Sequence, residues 1–102
     1  MNKRNIILIG MPGAGKSSVG VILAKVLGYE FIDTDLVIQH REKRLLREII
    51  ADEGNEGFLA IENEVNATLE ANKSVIAPGG SAIYGKEAME HFKEIGTIVY
   101  QK

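Results

Sequence analysis

The chain contains no cysteine, which removes disulfide scaffolds and thiolate-bound metal centres from consideration and suits a reducing, cytoplasmic setting. Long apolar runs are also missing. Lys3 and Arg4 ahead of Ile6 to Ile9 mimic the start of a secretion signal, but the run is cut by glycines and charged Lys16, so it reads as a first strand. No membrane partner is expected. Charge of one sign is absent too: 12 Lys and Arg stand against 14 Asp and Glu, a net charge of −2. That balance supplies no basic field for nucleic acid or anionic lipid. Neither histidine, His40 or His91, has a partner at metal-ligand spacing. What remains is ordinary for a globular protein, with 45% hydrophobic and 25% charged residues. A length of 102 residues allows one domain, small for a nucleotide-dependent enzyme.

Against that plain background stands Gly10-Met11-Pro12-Gly13-Ala14-Gly15-Lys16-Ser17, which fits G-x-x-x-x-G-K-[ST] at every fixed position. Glycines there let backbone N–H groups turn inward around phosphate oxygens, Lys16 can reach the β- and γ-phosphates, and the Ser17 hydroxyl can hold Mg²⁺. The motif has the flanks it requires. Asn5 to Ile9 reads as a buried strand, and Val19, Ile22, Leu23, Val26 and Leu27 fall at the spacing of an amphipathic helix, predicted to bury that stripe. Gly10, Gly13, Ala14, Gly15, Lys16, Ser17 and Ser18 are therefore the candidate nucleotide contacts, with ATP and Mg²⁺ as the implied ligands.

Further along, Glu30 to Ile32 reads as a second strand, Ser74 to Ala77 as a third and Thr97 to Tyr100 as a fourth. Between them the pattern predicts helices over 36–44, 45–53, 56–71 and 86–94, with Gly54 as a stop and Phe58, Ile61, Val65 and Leu69 as the stripe of the longest. Leu59, Glu62 and Asn66 fall on its shoulder. Strands alternating with helices imply right-handed βαβ units and a parallel sheet with helices on both faces. The phosphate loop, Asp33 to Asp35, and Pro78 to Ser81 all follow strands, so three segments should meet at one rim.

Asp33 and Asp35 at the end of the second strand are the candidate acid–base and metal residues. One carboxylate can accept the proton of an attacking hydroxyl and another can hold Mg²⁺, or one of them simply caps the following helix. Arg41, Arg44 and Arg47 read as a solvated face or as a source of one substrate-binding cation. His40 reads as solvated, and His91 as a favourable charge near a helix end.

The phosphate loop, Phe31 to Asp35, Gly57-Phe58 with Glu62, Gly79-Gly80 and Gly96 to Tyr100 together resemble the shikimate kinase family of small-molecule kinases. The resemblance implies a three-layer P-loop fold with strand order 2-3-1-4, a single kinase-like domain over residues 1–102, and phosphorylation of a small-molecule hydroxyl. It also implies that Asp35 is the base contacting the substrate hydroxyl, that Asp33 and Ser17 hold Mg²⁺, that Lys16 stabilises the transferring phosphoryl group, and that Gly79 and Gly80 line the substrate pocket. Three departures accompany it. Leu59 stands where the family has a carboxylate-binding arginine, normally partnered by the residue matching Glu62, so a bidentate clamp is absent. Ser81 replaces the third glycine of the pocket, after Pro78 where a small hydroxyl residue is usual. A lid, a fifth strand and a last helix are missing, and with them arginines of a kind that contribute roughly 10³ to 10⁵ in rate in related enzymes. The isolated chain is thus expected to be a poor catalyst, and its fourth strand to present an open edge that favours self-association or a completing partner. Besides shikimate phosphorylation, the sequence admits a kinase of an uncharged polyol, a non-catalytic or split nucleotide-binding module, and a structural oligomer.

Overall fold

The structure is a computed structural model and describes residues 4–10 and 16–101. Four strands form one parallel sheet in the order β2-β3-β1-β4: β1 (Asn5–Gly10), β2 (Glu30–Asp33), β3 (Ser74–Ala77) and β4 (Gly96–Gln101). In register, β1 sets Ile7 beside Ile76 of β3 and Ile98 of β4, while Asp33 ends β2 beside Ala77. The central strands are apolar on both faces because both faces are covered. Below the sheet Ile7, Ile9 and Ile76 pack with Ala88 and Phe92 of α4 (Lys86–Ile95). Above it Leu8 and Val75 pack with Ala24 of α1 (Lys16–Leu27). The three-layer architecture and strand order expected from the sequence are present.

The inward face of α1 is not the expected one. Val19, Ile22, Val26 and Leu27 are exposed, whereas Gly20 and Ala24, four residues apart, face the sheet, with Leu23 beside them. A Cβ on Gly20 would lie 2.6 Å from Cε1 of Phe31, so closeness of approach rather than side-chain bulk selects the contact face.

A third cluster joins Ile38 of α2 (Thr34–Glu42) to Ile49 and Val65 of α3 (Leu46–Ala67). Two predicted helices run together in α3, and Gly54, at φ 76° and ψ 173°, interrupts it. Ile50 points outward, while Glu62 and Asn66, expected on the helix shoulder, are buried. His91 is tied to the segment after α3: its Nε2 donates to the Leu69 carbonyl at 2.6 Å, since that oxygen can only accept. Among the described residues no helix is long and apolar enough to cross a membrane.

Candidate active site

The site is built where β1, β2 and β3 end. Asp33 closes β2 in extended conformation and caps α2, its Oδ1 accepting from the Asp35 backbone N–H at 3.0 Å. Capping fixes the spacing of the pair: Asp33 belongs to the strand end and Asp35 to the first helical turn. Thr34 between them is wholly buried, and its hydroxyl has no hydrogen-bond partner among the described residues.

From the neighbouring strand, β3 enters buried Pro78 and then Gly79. A Cβ at Gly79 would stand 3.0 Å from Asp35 Oδ1 and 3.0 Å from Glu62 Oε2, so glycine is what lets the two carboxylates approach the backbone from different helices. The chain continues into a 3₁₀ turn, Gly80–Tyr84, where the Ser81 hydroxyl donates to Glu62 Oε1 at 2.7 Å. Glu62 is only 2% exposed. A carboxylate so buried needs fixed donors, and Ser81 is one.

Asp33, Asp35, Gly79 and Ser81 of the sequence-derived candidates thus gather around this rim, and Gly80 stands exposed between the last two. Leu59 lies on α3 one turn before Glu62 and is half-buried in a cleft of about 290 Å³ shared with Glu62, Ser81, Tyr84 and Lys86. Asn63 forms another wall of the cleft: its Oδ1 accepts from Ala88 N at 2.9 Å and its Nδ2 donates to Glu87 Oε1 at 2.9 Å. That amide holds the Glu87 carboxyl below the ordinary range. Gly10 ends β1 at the same rim, and Ser18 is exposed near the start of α1. Met11 to Gly15, including Gly13, Ala14 and Gly15, lie outside the described residues, as do the side chains of Lys16 and Ser17.

The basic run does not reach this cleft. Arg44 meets Glu42 at 3.0 Å, Asp52 at 3.1 Å and Glu53 at 3.4 Å, and Arg41 meets Glu64 at 3.3 Å. Glu62 entered the sequence reading through the resemblance and not as a site residue, although an acid flanking an apolar helix stripe, three residues after Leu59, is a usable signal of a buried carboxylate.

Among the described residues no group of three His, Cys, Asp or Glu could hold a metal. The Asp33 carboxylate at the end of β2 is an oxygen donor of the kind that suits Mg²⁺, which commonly takes few protein ligands and completes its shell with phosphate and water.

A family model described as shikimate kinase matches residues 12–102. The chain belongs to the shikimate kinase family. Shikimate kinase 2 of Yersinia enterocolitica is 38% identical over 97 residues, covering 95% of this chain and 56% of that relative. Among solved structures, shikimate kinase from Acinetobacter baumannii in complex with shikimate is similar at TM-score 0.86 and 37% identity, covering 95% of this chain and 55% of that one. Shikimate kinase from Bacteroides thetaiotaomicron gives TM-score 0.84 and 32% identity over 96% of this chain and 56% of that one. The chain therefore spans about half the length of the shikimate kinases it matches.

Proposed function

We propose that this chain carries the phosphate-binding and hydroxyl-activating half of an ATP-dependent small-molecule kinase, with shikimate as the substrate. The observation that supports this reading most is the meeting of Asp33, Asp35, Gly79 and Glu62 at the strand ends where β1 leads into the phosphate loop. Gly10, Gly13, Ala14, Gly15, Lys16, Ser17 and Ser18 would hold the nucleotide phosphates. Leu59, Gly79, Gly80 and Ser81 would wall the substrate pocket. Asp35 orients the substrate hydroxyl and takes its proton as the oxygen attacks the γ-phosphorus and the bond to the bridging β–γ oxygen breaks, releasing ADP. Lys16 follows the charge on the transferring group. Mg²⁺, bound by Asp33 and Ser17, would neutralise the β- and γ-phosphate oxygens. The setting would be cytoplasmic.

ATP consumption with and without shikimate tests this reading, with Lys16→Ala as control. Consumption should rise with shikimate and fall in the variant; a rate indifferent to both contradicts it.

A second copy or a completing polypeptide would engage the outer edge of β4. Among the described residues β4 pairs only with β1, and Val99 and Tyr100 are 41% and 65% exposed. An apolar open edge favours strand addition. Sedimentation should show association at micromolar concentration, weakened by Val99→Lys; a monomer throughout counts against it.

A further inference from the structure

Two neighbouring residues of α3 grip the segment that follows β3, one near each end. Glu62 accepts from the Ser81 hydroxyl at 2.7 Å near the start of the 3₁₀ turn. Asn63 takes the far end, where the turn passes through Gly85 into α4: its Oδ1 accepts from the Ala88 backbone N–H and its Nδ2 donates to Glu87 Oε1, both at 2.9 Å. Gly85 stands at the N-cap of α4 and has no side chain to offer, so the group that satisfies the first turn comes from another helix. Glycine is also what admits that group, because a Cβ on Gly85 would collide with the Asn63 side chain.

Between the two grips the backbone is bonded in series. Ala82 N–H donates to the Gly79 carbonyl, Gly85 N–H to that of Ala82 and Met89 N–H to that of Gly85, each at 3.0 Å. Ala82 is buried and roots the turn in the molecule. A run of bonded links moves together, so the setting of the joint at Gly85 is passed back to Gly79. Gly79 is where the backbone comes close to Asp35, whose Oδ1 lies 3.0 Å from the position a Cβ would take.

We propose that Asn63 is a positioning residue: by capping α4 from α3 it sets the joint at Gly85, and through the bonded run back to Gly79 it fixes the Gly79–Gly80 backbone beside Asp35. Asn63 itself touches neither substrate nor nucleotide. The proposal rests on the substrate reading given above, in which Gly79 and Gly80 wall the pocket.

Two measurements on the full chain saturated with Mg·ADP test it. Amide hydrogen exchange of Asn63→Ala should show the Ala88 amide unprotected and the Ala82 amide, whose own partner is untouched, exchanging about tenfold faster than in the unaltered chain. Calorimetric titration with shikimate should show binding about fivefold weaker, since the wall then holds its set position for only part of the time, with Mg·ADP affinity unchanged. Asn63→Asp keeps an acceptor for Ala88 but sets a second carboxylate against Glu87, and it should weaken shikimate binding as well. Adding Glu87→Gln exchanges donor and acceptor across the same pair and should restore most of that binding. If Asn63→Ala does not fold, the single and double variants built on Asn63→Asp make the same comparison. An Ala82 amide as slow as in the unaltered chain, or an unchanged shikimate affinity, shows a cap that acts only on its own helix and overturns the proposal alone. A double variant as weak as Asn63→Asp overturns it too. Mg·ADP binding with no shikimate binding by the unaltered chain overturns the substrate reading and this proposal with it.

Discussion

Asp35→Asn is expected to lower shikimate-dependent phosphoryl transfer by roughly 10² to 10⁴, the usual worth of a positioned general base. The amide keeps the shape of the carboxylate but cannot accept the hydroxyl proton at neutral pH. Its backbone N–H still donates to Asp33 Oδ1, so the cap on α2 survives. Thermal stability and Mg·ADP affinity should accordingly stay close to those of the unaltered chain while turnover collapses. Single-turnover measurement separates the two cases: if transfer in the variant proceeds at an undiminished rate, Asp35 does not hold the proton.

The largest loss of stability is expected far from the site, at the amino ends of the strands. Asn5, 2% exposed, donates to the carbonyls of Ala71 at 3.0 Å and Ile95 at 2.9 Å, and accepts from the backbone N–H of Ser74 at 3.0 Å. One side chain thus clips β1 to the segment before β3 and to the end of α4. Asn5→Ala deletes all three bonds and leaves three buried or part-buried backbone groups to find other partners, at a cost of about 1 to 3 kcal/mol each. Part of that is recovered by relaxation and water, so a total on the order of 3 to 5 kcal/mol is expected, a large share of what a domain this size possesses. Urea denaturation should show a much lower midpoint at nearly unchanged slope. A midpoint within experimental error of the unaltered chain would mean that these bonds are replaced at no cost.

The strands were legible because a parallel sheet covered on both faces needs continuous apolar runs, and Ile6 to Ile9 and Val75 to Ala77 are such runs. Strand order came with the resemblance, and the meeting of Asp35 with Gly79 followed from the rule that ligand sites sit at strand ends. The buried face of α1 was not legible: counting bulky residues selects Val19, Ile22 and Val26, but the sheet accepts Gly20 and Ala24 because they let the helix come close. Asn5 read simply as a strand residue, since its partners are 66, 69 and 90 positions away. Ser81 was visible as a departure, whereas its bond to Glu62, 19 residues earlier, belongs to packing and not to local pattern. Arg44 belongs to a basic run that read as a solvated face or as a source of one substrate-binding cation, and three neighbouring acids account for it.

Backbone amide chemical shifts of the isotopically labelled chain, followed first through a Mg·ADP titration and then through a shikimate titration, test most directly whether the phosphate loop and the carboxylate rim form one site. Mg·ADP should move resonances between Gly10 and Ser18, and shikimate should then move those of Asp35, Glu62, Gly79 and Ser81. Shikimate-induced shifts confined to another region, such as the groove of Leu36, His40 and Glu48, or none at saturating nucleotide, would contradict the account.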